Sequence, residues 1–163
     1  QDNPSLTVRL TKNDLGLKES EIIEQPVKII LGNLKKSQKV SRIFTGNSKI
    51  IIGSRQPAKK SKNIEYLKYE KKNFLEKFLK DLLDRNISSI LVEGGQKTLN
   101  AFIVNNLFDE LVLYTAPMFL GKESKDAVSI NAPDSIKTSM KLKMVSQERF
   151  KDDIKITYYN INI

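Results

Sequence analysis

The chain has 163 residues, the size of one domain with a sizeable core, and it contains neither Cys nor His. Thiolate or imidazole metal sites, disulfides and Cys or His catalysis are therefore excluded within it. The net charge of +9 would suit nucleic acid or small phosphorylated ligands. The lysines are scattered, however, apart from short runs such as Lys59-Lys60 with Lys62, and no aromatic residues alternate with them as a stacking platform needs. A lysine-rich solvated surface with a few residues serving anionic ligands is the expectation, with no nucleic acid. No apolar run reaches the length of a membrane span.

In chain order, Gln1-Asp2-Asn3-Pro4 is turn chemistry, followed by Leu6-Thr7-Val8-Arg9. No core strand precedes it, so one or more N-terminal strands of the domain are expected to be missing. Residues 11–26 read as polar loop. Val27 to Leu31 reads as a strand ended by Gly32-Asn33, and Lys49 to Ile52 as a strand stopped by Gly53-Ser54. Between them, residues 34–47 allow at most one short helical turn. Residues 55–62 are a basic loop, and Ile64 to Leu67 is a short strand. Over residues 73–85, Phe74, Leu75, Phe78, Leu79, Leu82 and Leu83 share one helical face.

The stretch from Ser89 to Phe102 carries the strongest signal. Ile90, Leu91 and Val92 suggest a strand buried on both faces. Gly94 and Gly95 break it, and Leu99, Phe102, Ile103 and Leu107 then recur at helical spacing from about Gln96. A helix opening on paired glycines turns its free N–H groups and positive dipole end towards whatever approaches, which suits phosphate. A tight βα turn with no ligand gives the same pattern. Glu93 favours a ligand, because a carboxylate at the end of an apolar strand is costly to bury alone, and ligands of open α/β sheets bind at such strand ends. Glu110 to Thr115 is the next strand, ended by Pro117, and residues 121–137 are loop. Lys141 to Val145 and Ile154 to Ile163 read as an antiparallel pair, with Ile154, Ile156 and Tyr158 alternating with Lys155 and Thr157. The order is α/β units followed by an antiparallel pair, in a single domain over 1–163.

Three segments in this order carry a resemblance. Asp2 to Arg9, Leu91 to Leu99, and Phe108-Asp109-Glu110-Leu111-Val112-Leu113-Tyr114-Thr115-Ala116-Pro117-Met118-Phe119-Leu120-Gly121 together resemble the reductase domain of the bacterial riboflavin-biosynthesis deaminase/reductase. Asp152-Asp153 before a strand adds to the likeness. The resemblance implies a dihydrofolate-reductase-like mixed sheet flanked by helices, NADPH as cofactor, a small phosphorylated pyrimidine substrate, a homodimer and a cytoplasmic location. The implied reaction is reduction of 5-amino-6-(5-phosphoribosylamino)uracil: the ribose opens to a Schiff base and hydride reaches C1′. By position, Leu6 and Arg9 would contact the ribosyl phosphate and Glu93 would face the substrate. Asp2 and Asn33 would lie by the cofactor, whose phosphates Gly94, Gly95, Gln96, Lys97, Thr98, Leu99, Asn100 and Ala101 would wrap. No residue is assigned as acid or base. Ser54 and Arg55 could meet the 2′-phosphate or form a plain basic loop.

The chain departs from the family pattern in its absent opening strand, in Lys122 where a second Gly is usual, and in Asn33 where Ser is usual. The family's linked deaminase needs His and Cys zinc ligands, so that activity would lie in an upstream domain of the full-length protein. Two other functions stay open: a related reductase for another pyrimidine- or pteridine-like substrate, and a catalytically silent binding domain.

Overall fold

The computed structural model describes residues 3–33, 41–56, 63–70, 72–131 and 133–162. Asp2 and the run Lys59-Lys60 with Lys62 lie outside the described residues. The chain forms two compact units, Gln1–Ser88 and Ser89–Ile163.

The first unit holds β1 (Lys28–Leu31), β2 (Ile50–Ser54), β3 (Ile64–Lys68) and α1 (Phe74–Leu83), with a 3-10 turn at Arg42–Phe44. The three strands are parallel in the order β1-β2-β3. β2 lies between two neighbours and is buried along its whole length. Its run of three isoleucines suits a strand covered on both faces. Ile51 packs with Phe78 and Leu82 of α1, and Ile29, Leu31, Leu67, Tyr69, Leu79 and Ile87 close around them. Burying a side chain such as Phe78 contributes roughly 1.5–3 kcal/mol. Leu83, expected on the same face, is 60% exposed, because the apolar stripe drifts at the helix end. Asn73 and Asn86 take left-handed angles at the two ends of the helix. The Ile87 N–H then returns to the Leu82 carbonyl at 3.0 Å, a common way to satisfy a helix's last carbonyls.

Gly53 does not stop the strand, as its sequence context suggested, but sits inside it. A Cβ there would stand 2.7 Å from Phe78 Cε2, so only glycine lets α1 approach β2 this closely. Tyr69 meets Phe74 and Phe78 edge-on, at centroid distances of 5.4 and 5.7 Å. Its hydroxyl donates to the Asp81 carboxylate, and burial, aided by that bond, pushes its pKa up.

The second unit holds α2 (Gln96–Val104), β4 (Glu110–Thr115), β5 (Leu142–Phe150) and β6 (Asp153–Asn160). Its strands are antiparallel in the order β4-β6-β5. β6 is the middle strand, because β4 pairs with it on one side and β5 on the other. The alternation expected along β6 is corrected: Thr157 and Asn160 are buried while Ile154 is 36% exposed. Asn160 is buried because it is paired. Its side-chain N–H groups donate to Asn106 Oδ1 at 2.8 Å and to the Phe108 carbonyl at 2.9 Å. Its amide reaches the Asp109 carbonyl at 2.9 Å. Buried polar side chains are tolerated when bonded in this way. The two-residue turn Lys151-Asp152 joins β5 to β6, with Lys151 at φ +55.

The strand expected at Ile90, Leu91 and Val92 is also corrected. They form no strand, and Leu91 is 82% exposed. Strand-forming residues give a strand only where a neighbour supplies the hydrogen bonds, and among the described residues none pairs with this run.

Candidate functional site

The first cleft lies at the carboxyl ends of β1 and β2, where parallel sheets bind ligands. It has a volume of about 290 Å³ and is lined by Gly32, Asn33, Ser54, Arg55 and Phe74. The floor is ordered by hydrogen bonds. Ser54, buried at 4% exposure, donates to Asn33 Oδ1 at 2.7 Å, and the Arg55 amide donates to the same oxygen at 3.3 Å. Phe74, also part of the lining, is met edge-on by the Tyr69 ring. Asn33 and Arg55, read from sequence as separate candidates, thus face one space.

The motif after Asn3 lies in the same unit. Asn3 and Leu6 have φ of +45 and +49. For a leucine this is uncommon, and the surroundings must hold it. The Val8 amide donates to Gln25 Oε1 at 3.0 Å, and the Arg42 amide donates to Asn3 Oδ1 at 3.0 Å. Leu6 is half-buried, whereas Arg9 is exposed, and its planar guanidinium suits an anion.

The second cleft lies wholly in the other unit. It has a volume of about 390 Å³ and is lined by Gly94, Gly95, Gln96, Leu99, Ser124, Lys125, Asp126 and Ala127. α2 starts at Gln96, as its periodicity predicts. Gly95 is its N-cap, and no side chain caps the helix. The Gly95 carbonyl accepts from Thr98 and Leu99, while the first N–H groups of a helix have no partner within it. A Cβ at Gly95 would meet nothing within 4 Å, whereas one at Gly94 would stand 3.1 Å from the Thr98 Cβ. The glycine turn is therefore open to an approaching group, and the donors and the space suit a pyrophosphate.

Lys97, Thr98, Asn100 and Ala101 follow on α2 but do not line this cleft. Asn100 accepts from the Ser129 amide at 3.0 Å, which ties the 121–131 loop to the helix. Glu93 is exposed beside the turn. It belongs to the second unit and Arg9 to the first. Ser124, Lys125 and Asp126, plain loop by their sequence, also line the cleft. Gly121, at a φ of +77, is the nearest turn signal to them.

The model of the RibD C-terminal domain family matches residues 1–156. The chain is 28% identical to the riboflavin biosynthesis protein RibD of Haemophilus influenzae, over 96% of this chain and 44% of that protein. It is 29% identical to the 5-amino-6-(5-phosphoribosylamino)uracil reductase of Buchnera aphidicola, over 95% of this chain and 79% of that one. Among solved structures, the diaminohydroxyphosphoribosylaminopyrimidine deaminase/5-amino-6-(5-phosphoribosylamino)uracil reductase of Thermotoga maritima superposes with a TM-score of 0.75. It is 27% identical, with 98% of this chain and 42% of that one covered. RibD of Acinetobacter baumannii, 19% identical, shares the fold with a TM-score of 0.79, over 98% of this chain and 43% of that one. The chain thus spans less than half the length of its RibD relatives and belongs to the RibD C-terminal domain family, with the reductase-type α/β fold expected from its motifs.

Proposed function

We propose that this chain is the reductase domain that converts 5-amino-6-(5-phosphoribosylamino)uracil to its ribityl product with NADPH, in riboflavin biosynthesis. The observation that carries the reading is the family match over residues 1–156. It is supported by a relative with that reductase name aligned over 79% of its length. The open glycine turn with its uncapped helix fits the cofactor's pyrophosphate. Within the first unit, Asn33 and Arg55 line a cleft whose polar groups suit an anionic group.

NADPH supplies the hydride when bound, and the protein contributes binding, orientation and electrostatics. Arg9 holds the substrate phosphate and Leu6 packs beside it. Glu93 orients the sugar. The Gly94-Gly95 turn, with Gln96 and Leu99, seats the cofactor. The reading includes one domain over 1–163, a homodimer, a cytoplasmic location and a deaminase domain upstream in the full-length protein. The printed name of the Thermotoga relative joins such a deaminase to its reductase. Among the described residues no helix is long and apolar enough to cross a membrane.

The test is consumption of NADPH by the purified full-length protein on addition of this substrate. Turnover is expected. Turnover only with another pyrimidine or a pteridine would change the substrate, and NADPH binding without turnover of any would make this a silent binding domain.

A further inference from the structure

Lys28 opens β1, and only 2% of it is exposed. Lysine is almost never buried to this degree without a polar partner. Its Nζ donates to the carbonyls of Ile43 and Thr45, each at 3.1 Å. Ile43 lies within the short turn Arg42–Phe44 and Thr45 caps its end, the Thr45 side chain closing the turn by donating to the Arg42 carbonyl at 2.7 Å. The outward amide of the same turn, Arg42 N–H, donates to Asn3 Oδ1 at 3.0 Å. Asn3 starts the segment that reaches Arg9, and it holds the left-handed angle from which that segment departs. A buried lysine at the start of β1 is thus linked through one turn to Asn3, the first described residue of the Asp2 to Arg9 motif.

We propose that Lys28 and Asn3 are positioning residues for the substrate phosphate: Lys28 fixes the 41–45 turn, the turn fixes Asn3, and Asn3 sets the course of Leu6 and Arg9. The inference rests on the reading of Arg9 as the phosphate ligand. Neither residue touches substrate in this scheme. Their effect is on where Arg9 stands, so it falls on substrate affinity and not on the cofactor cleft.

The experiment uses the full-length protein with Lys28→Met, Lys28→Arg, Asn3→Gly, Asn3→Asp and the double variant Lys28→Met/Asn3→Gly. Glycine keeps the positive φ while removing the acceptor, and Asp keeps the acceptor. Lys28→Met and Asn3→Gly should each raise the substrate KM about tenfold, the loss expected of one positioning bond. NADPH affinity should stay unchanged, and Lys28→Arg and Asn3→Asp should stay near the parent KM. The double variant should be no worse than the poorer single one, because links in one chain are not additive. Amide exchange at Arg42 reads the linkage without substrate, and it should quicken in Asn3→Gly and in Lys28→Met. If Lys28→Met does not fold, Asn3 is exposed and its variants still decide. A multiplicative double variant, equal loss of NADPH affinity, or unchanged Arg42 exchange would overturn the proposal. If Arg9→Ala raises KM while Lys28→Met and Asn3→Gly do not, the linkage fails and the reading of Arg9 stands. If Arg9→Ala leaves KM unchanged, that reading fails and the proposal with it.

Discussion

At the scale of single residues, the most constrained position is Gly53. A methyl group there meets the Phe78 ring at 2.7 Å, and Phe78 is buried in the core at 1% exposure. Gly53→Ala should destabilise the fold by about 1–3 kcal/mol, the usual cost of overpacking a filled core. Denaturant unfolding would show this as a lower midpoint. Glu65 gives a pH-dependent counterpart. The Arg85 guanidinium at 3.1 Å and Lys49 at 3.2 Å hold its carboxyl below the ordinary value of 4.5. A depressed carboxyl pKa stabilises the folded state fully above the unfolded value, and the contribution is lost as pH falls through the folded one. The site is partly exposed, so the effect should stay below about 1 kcal/mol. The stability difference between the parent and Glu65→Gln should be constant at neutral pH and vanish on acidification. A difference that persists in acid would show that these ion pairs do not stabilise the fold.

At the scale of elements, what could be read from the sequence followed from periodicity. Helix α1, strands β3 and β4 and the start of α2 lie where their patterns put them, because each has a partner that matches its apolar face or ladder. Ile90, Leu91 and Val92 have the same composition and no ladder, and composition does not report pairing. The Asn160 exception in β6 arises from bonds to residues some 50 positions away, which no local pattern contains. Lys28 was read as one more strand residue for the same reason: its carbonyl partners lie 15 and 17 residues on. Of the candidate site, the glycine turn and the Asp2 to Arg9 motif were legible because their residue types are unusual. The loop around Ser124 and Lys125 was not, since loop composition is nearly uniform. The turn yields a clean experiment. Gly95 has open space around a would-be Cβ and an ordinary negative φ of −77. Gly95→Val should therefore fold normally and still weaken NADPH binding, because the side chain enters the space the pyrophosphate needs. Fluorescence titration of a folded variant with unchanged affinity would remove the turn from the cofactor site.

At the scale of the whole molecule, the second unit exposes much apolar surface. Tyr114, Met144 and Phe150 on its strands are 62%, 58% and 50% exposed. Its sheet edges are β4 and β5, so an association through the sheet would use these strands and not β6. Light scattering at micromolar concentration should report a dimer, and a monomer alone would remove the homodimer from the proposal. The central claim is a division of labour between cofactor and substrate. A charge-assisted bond from arginine to phosphate contributes roughly 1.5–3 kcal/mol net, so its loss should weaken substrate binding about ten- to a hundredfold. Glu93→Gln keeps the shape and removes the charge, and should lower kcat more than it alters NADPH affinity. The most direct measurement is steady-state kinetics of Arg9→Ala in the full-length protein beside NADPH titration of the same variant. A raised substrate KM with unchanged NADPH affinity is the predicted result, and equal loss of both would contradict the account.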